Sequence, residues 1–106
     1  MTTKCKSAAS RLEAALKGSK PVLLEFYADW CPHCQRMMPI VEHIRANMGE
    51  HIEIVQIEGD RNPLMMEQYG ADSYPTWIVF KNGREVWRNG GEKTMHELQD
   101  ALKRFI

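Results

Sequence analysis

Trp30-Cys31-Pro32-His33-Cys34 decides the reading of this chain. It follows the apolar run Val22-Leu23-Leu24-Glu25-Phe26-Tyr27-Ala28 and precedes a long stretch of helical periodicity, so a strand delivers two thiols to the start of a helix. At this spacing the thiols share one helical face, near enough to close into a small disulfide ring. The first turn of a helix carries unpaired N–H groups and the positive end of the dipole, and both favour a thiolate at Cys31, the nucleophilic form. Pro32 suits that first turn, where its missing N–H costs nothing. Half of a zinc site is the competing reading. Structural zinc takes four Cys or His ligands, whereas a second Cys-x-x-Cys is missing and His43, His51 and His96 lack ligand spacing.

Working outward, the chain resembles the thioredoxin family along nearly its whole length. The resemblance is carried by Phe26-Tyr27-Ala28-Asp29-Trp30-Cys31-Pro32-His33-Cys34, Pro39, Tyr69-Gly70, Tyr74-Pro75-Thr76, Phe80-Lys81-Asn82-Gly83 and Gly91. It implies an α/β thioredoxin fold: a central mixed four-stranded sheet flanked by helices on both faces. The family's short first strand has little room before residue 6 and is expected to be reduced or absent. The resemblance also implies a thiol–disulfide oxidoreductase that reduces or exchanges protein disulfides, with Cys31 as nucleophile and Cys34 as resolving thiol. Trp30, Ser73, Tyr74, Pro75, Thr76 and Gly91 would form an apolar, backbone-rich docking patch, with Pro75 in a cis peptide. Family members carry a buried acid at the position of Glu25 that helps move the proton of the second cysteine. They also carry a lysine where this chain has Gln56, and Gly-Pro where it has Pro32-His33. Burial without an ammonium neighbour is expected to raise the pKa of Glu25 toward neutrality. Pro32 and His33 look more like the thiol oxidases of the bacterial periplasm. They are expected to tune the couple toward oxidation, and they keep a thiol oxidase or disulfide isomerase as the alternative. A non-catalytic binding module fits less well, since it needs neither thiol.

The 106 residues suit one domain, 1–106, with one core. Basic and acidic residues number 14 each, which gives no electrostatic case for nucleic acid or an anionic membrane. No apolar run is long enough to span a bilayer, and Met1-Thr2-Thr3-Lys4-Cys5 lacks the apolar core of a signal peptide. A cytoplasmic monomer is therefore expected, or a periplasmic one if a signal has been removed. No cofactor or metal is required. The partners implied are disulfide-containing proteins and an electron donor resembling thioredoxin reductase.

Periodicity places helices at 6–17, 32–48 and 63–69 and a last one opened by the capping box Thr94-Met95-His96-Glu97, with Leu98, Ala101, Leu102 and Phe105 inward. Asn62 reads as a helix cap before Pro63. Strands are expected at 22–28, 52–57 and 76–80, and Asn82-Gly83 turns the chain into an antiparallel return, 84–89. Gly90-Gly91 reads as a flexible break. Pro39 lies inside the long helix, and Arg36, Glu42 and Arg45 lie off its apolar stripe. His43, His51 and His96 read as solvated surface residues, and Cys5 as a small, half-buried apolar side chain.

Overall fold

Val22–Tyr27 forms β1, and its first five side chains are all buried. A strand apolar on both faces belongs in the middle of a covered sheet. The computed structural model, which describes residues 7–106, places it there. The sheet order is β2-β1-β3-β4, where β2 is Glu53–Glu58, β3 is Thr76–Lys81 and β4 is Arg84–Gly90. β2 runs parallel to β1, while β3 is antiparallel to both β1 and β4. The parallel pair is joined through α2, Pro32–Met48, and the antiparallel pair through the Asn82-Gly83 turn, where both residues have positive φ.

Each face of the sheet has its own core. Leu23, Ile54, Trp77 and Val79 pack against Met37, Val41, Ile44 and Met48 of α2 and against Leu98 and Leu102 of α4, Met95–Lys103. On the other face Val22, Leu24, Phe26, Val55, Ile57, Ile78 and Phe80 meet Leu12 of α1, Ala8–Lys17, and Met66 of α3, Pro63–Gln68. Alternation along β1 therefore puts Glu25 on the α2 side, beside Leu23, and Phe26 on the other.

Several boundaries differ from the sequence reading. β2 begins and ends one residue later than expected. Asn62 makes no side-chain cap, because its Nδ2 donates instead to the Glu58 carbonyl at 2.8 Å. Gly90 is no break: it is the last residue of β4, paired with Thr76. The Thr94 box is complete in both directions. The first residue of the expected 6–17 helix, the family's first strand and Cys5 lie outside the described residues.

Candidate functional site

Three chain segments meet at the carboxyl ends of β1 and β2, where open α/β sheets place their ligands. The first is the turn from β1 into α2. Cys31 is the N-cap of that helix, and its Sγ accepts the Cys34 N–H at 3.4 Å. A thiol thus sits where Ser, Thr or Asp usually caps, and a helix start offers it both donors and dipole. Both thiols are enclosed, at 3% and 1% exposure, packed with Ala28, Tyr27 and Tyr74. Burial pushes the Cys34 thiol up to about 12.

The second segment precedes β3. The Tyr74–Pro75 peptide bond is cis, and the Tyr74 carbonyl faces the Cys31 thiol at 3.9 Å. Thr76 is less available than the sequence suggested. It is buried, its hydroxyl donates to the Ser73 carbonyl at 2.7 Å, and its backbone pairs within the sheet with Phe26 and Gly90. Gly91 has φ +87° and lies between Pro75 and Trp77: its N–H donates to the Pro75 carbonyl at 2.9 Å, and its carbonyl accepts the Trp77 indole N–H at 2.8 Å. The patch therefore presents exposed Trp30, Ser73 and Gly91 around a half-buried Tyr74, with Pro75 and Thr76 beneath.

The third segment, Glu58-Gly59-Asp60 at the end of β2, was not found from sequence. Asp60 accepts the Trp30 indole N–H at 2.6 Å and the Tyr74 hydroxyl at 2.8 Å, tying the first two segments together. Trp30 and Tyr74 meet edge to face, ring centroids 5.9 Å apart. Buried Glu58 accepts the backbone N–H of Asp29 and of Arg61. Their place at the carboxyl end of β2 was the one signal in the sequence.

Behind the thiols, Glu25 is fully enclosed and its carboxyl is raised to about 7, first by burial. Gln56, its register partner on β2, donates Nε2–H to Glu25 Oε1 at 2.9 Å. This hydrogen bond and the Arg45 charge both act to lower the pKa. Arg45 is thus not merely off the apolar stripe: it reaches back over β2 to the Gln56 side chain. His33 turns to the rim. Its Nδ1 lies 2.9 Å from Glu92 Oε1, and Arg36 holds the same carboxylate through Nε and Nη2. The two partners bring Glu92 down to about 2. His43 is exposed and bonded to Asn47. Among the described residues no three His, Cys, Asp or Glu side chains gather as a metal site would need, and no helix is long and apolar enough to cross a membrane.

Two thiols at a helix start, one capping it and the other buried one turn on, serve the exchange of a dithiol for a disulfide, and that chemistry defines the class: a thiol–disulfide oxidoreductase. The thioredoxin family model matches residues 3–104. A thioredoxin-like protein of Synechocystis is 40% identical over 92 residues, covering 86% of this chain and 88% of its own. The thioredoxin of Alicyclobacillus acidocaldarius is 33% identical over 93 residues, with 88% and 89% covered. Among solved structures, a point mutant of Halobacterium salinarum thioredoxin superposes with a TM-score of 0.85 at 28% identity, over 91% of this chain and 83% of that one. The chain belongs to the thioredoxin family. Membership implies protein disulfides as substrates and a reductase as electron donor, and it does not favour the oxidase or isomerase alternative.

Proposed function

We propose that this chain is a single-domain, monomeric, cytoplasmic reductase of protein disulfides in which Cys31 attacks, Cys34 resolves and Glu25 exchanges the proton. The observation that carries the assignment is the asymmetry of the thiols. Cys31 Sγ already accepts an N–H at the helix start, whereas the Cys34 thiol holds its proton well above the ordinary range.

In the first step the Cys31 thiolate attacks one sulfur of the substrate disulfide. The substrate S–S bond breaks, a Cys31–substrate bond forms, and the first substrate sulfur leaves as thiolate. In the second step Cys34 gives its proton to the Glu25 carboxylate and attacks Cys31 Sγ. The Cys31–Cys34 bond forms, and the second substrate sulfur leaves. Two electrons pass to the substrate, its two thiolates take up the protons, and the reductase returns the pair. Trp30, Ser73, Tyr74, Pro75 and Gly91 receive the substrate segment, with Thr76 supporting them from the sheet. Pro32 and His33 act on the couple through the first turn of α2.

The experiment is a pair of serine variants. Cys31→Ser abolishes disulfide reduction, and Cys34→Ser accumulates a mixed disulfide on Cys31 that mass spectrometry detects. An adduct on Cys34 in the Cys31→Ser protein, with none in the other, reverses the roles.

A further inference from the structure

A buried carboxyl that must give and take a proton needs its two oxygens distinguished, and this chain does so with two residues reaching in from the surface. Arg45 Nη2 donates to Gln56 Oε1 at 2.8 Å, and Nη1 donates to the Ile54 carbonyl at 3.1 Å. A guanidinium is donor only, so the amide oxygen of Gln56 must face it. The amide NH₂ is then left to face inward, where it donates to Glu25 Oε1 at 2.9 Å and lies 3.6 Å from Met38 Sδ. Oε1 accepts in either protonation state. Glu25 Oε2 is buried and has no hydrogen-bond partner among the described residues. When the carboxyl is neutral, its proton belongs on Oε2, because a proton on Oε1 would oppose the Gln56 donor.

We propose that Arg45 is a positioning residue for the resolving step: acting through Gln56, it fixes Oε1 of Glu25 as an acceptor and reserves Oε2 as the oxygen that takes the Cys34 proton. This rests on the proton-exchange role of Glu25 given above. Arg45 also lends a positive charge through the amide, which holds the carboxyl nearer neutrality than burial alone would. Gln56 supplies direction and Arg45 supplies charge, where a single ammonium would supply both.

The other groups around Glu25 do not duplicate this. On α2 the ionisable groups within electrostatic range are Cys34, uncharged in its resting form, and Arg45, itself flanked by the exposed Glu42 at 3.4 Å. On β1 the phenol Tyr27 is two residues along. β3 presents Trp77 at the same register, and α4 presents Leu98 and Leu102 to this layer. Arg11, from α1, donates to the Gln56 backbone carbonyl, at 3.3 Å, and not to its side chain among the described residues.

The test uses an aromatic disulfide that releases one chromophore on attack by Cys31 and a second on resolution by Cys34, so both steps are timed in one stopped-flow trace. The Glu25 carboxyl is titrated in parallel by NMR. In Arg45→Gln the Glu25 midpoint and the pH profile of resolution move up together by about half a pH unit, less than a touching ion pair would give. Resolution slows relative to attack at neutral pH, and Arg45→Lys restores part of both shifts. Gln56→Met, which removes the donor itself, moves them further and serves if Arg45→Gln folds poorly. A profile that is lost in Glu25→Gln but unmoved in Arg45→Gln and Gln56→Met overturns the inference and leaves the role of Glu25 standing. A profile unchanged in Glu25→Gln overturns both.

Discussion

Glu25 takes up a proton when the chain folds. Its carboxyl ionises near 4.5 in the unfolded chain and near 7 in the folded one, because burial disfavours the charge. Between those values the folded state binds more protons than the unfolded state, so stability falls as pH rises through the window. Below 4.5 both states are protonated and the full contribution is present; above about 7 it is gone. The difference across the window is about 3 kcal/mol by linkage. Glu25→Gln keeps the shape and removes the titration, so its unfolding free energy stays level from pH 4.5 to 7 where the parent's declines. Urea melts at a series of pH values check this, and parallel declines in the two proteins would mean that Glu25 ionises as readily folded as unfolded. The sequence placed this acid inside an apolar strand and, through the family resemblance, expected it to be buried with a raised pKa. That it would have a glutamine on one oxygen and, among the described residues, no partner on the other depended on β2 lying alongside in register.

At the scale of the element, α2 carries most of the chemistry. The sequence contained its Pro32 start, its end at residue 48 and an apolar stripe, which in the structure is Met37, Val41, Ile44 and Met48. It did not contain the destination of the His33 side chain. The sequence suggested that His33 tunes the couple; in the structure its Nδ1 lies 2.9 Å from Glu92 Oε1. Positive charge near Cys31 still stabilises the reduced protein relative to its disulfide, and Arg36 lies within electrostatic reach of that thiol. The Glu92 carboxylate offsets part of it. Replacing the dipeptide, Pro32→Gly with His33→Pro, is therefore expected to lower the reduction potential by about 30 mV or less, a shift that corresponds to ~1.4 kcal/mol for a two-electron couple. Glu92→Gln removes the carboxylate that faces Arg36 and raises the potential. Equilibration with a glutathione redox buffer measures both. If neither potential moves, the rim charges and the dipeptide do not tune this couple.

In the whole molecule, the site exists because three loops are held against one another, and Gly59 is where they have least room. A Cβ there would come within 2.5 Å of the Tyr74 ring and 2.8 Å of Met66 Sδ. Gly59→Ala must push the ring aside, which strains the Asp60–Tyr74–Trp30 contacts. The expected loss is about 1–3 kcal/mol of stability, the usual range for an overpacked site. A fall in kcat/KM for a protein disulfide should accompany it, beyond any change with a small aromatic disulfide that does not need the docking surface. Equal losses on the two substrates would mean that Tyr74 shapes the thiol pair rather than the docking surface.

By itself the sequence determined the order of elements, the buried central strand, the dithiol at a helix start, the hairpin turn and the last helix with its capping box. Each rests on residues close together in the chain: apolar periodicity, a proline or glycine at a boundary, two cysteines three apart. Only the tertiary structure decided that Asp60 joins Trp30 to Tyr74, that Glu92 pairs with His33 and Arg36 at the start of α2, and that Arg45 reaches Glu25 through Gln56. Those partners come from different elements, and their meeting depends on strand register and loop docking. Charged side chains such as Arg45 and Glu92 look alike in sequence whether they face water or a partner. The packing of β2 beside β1, and of the loop after β4 against the start of α2, is what separates the two cases.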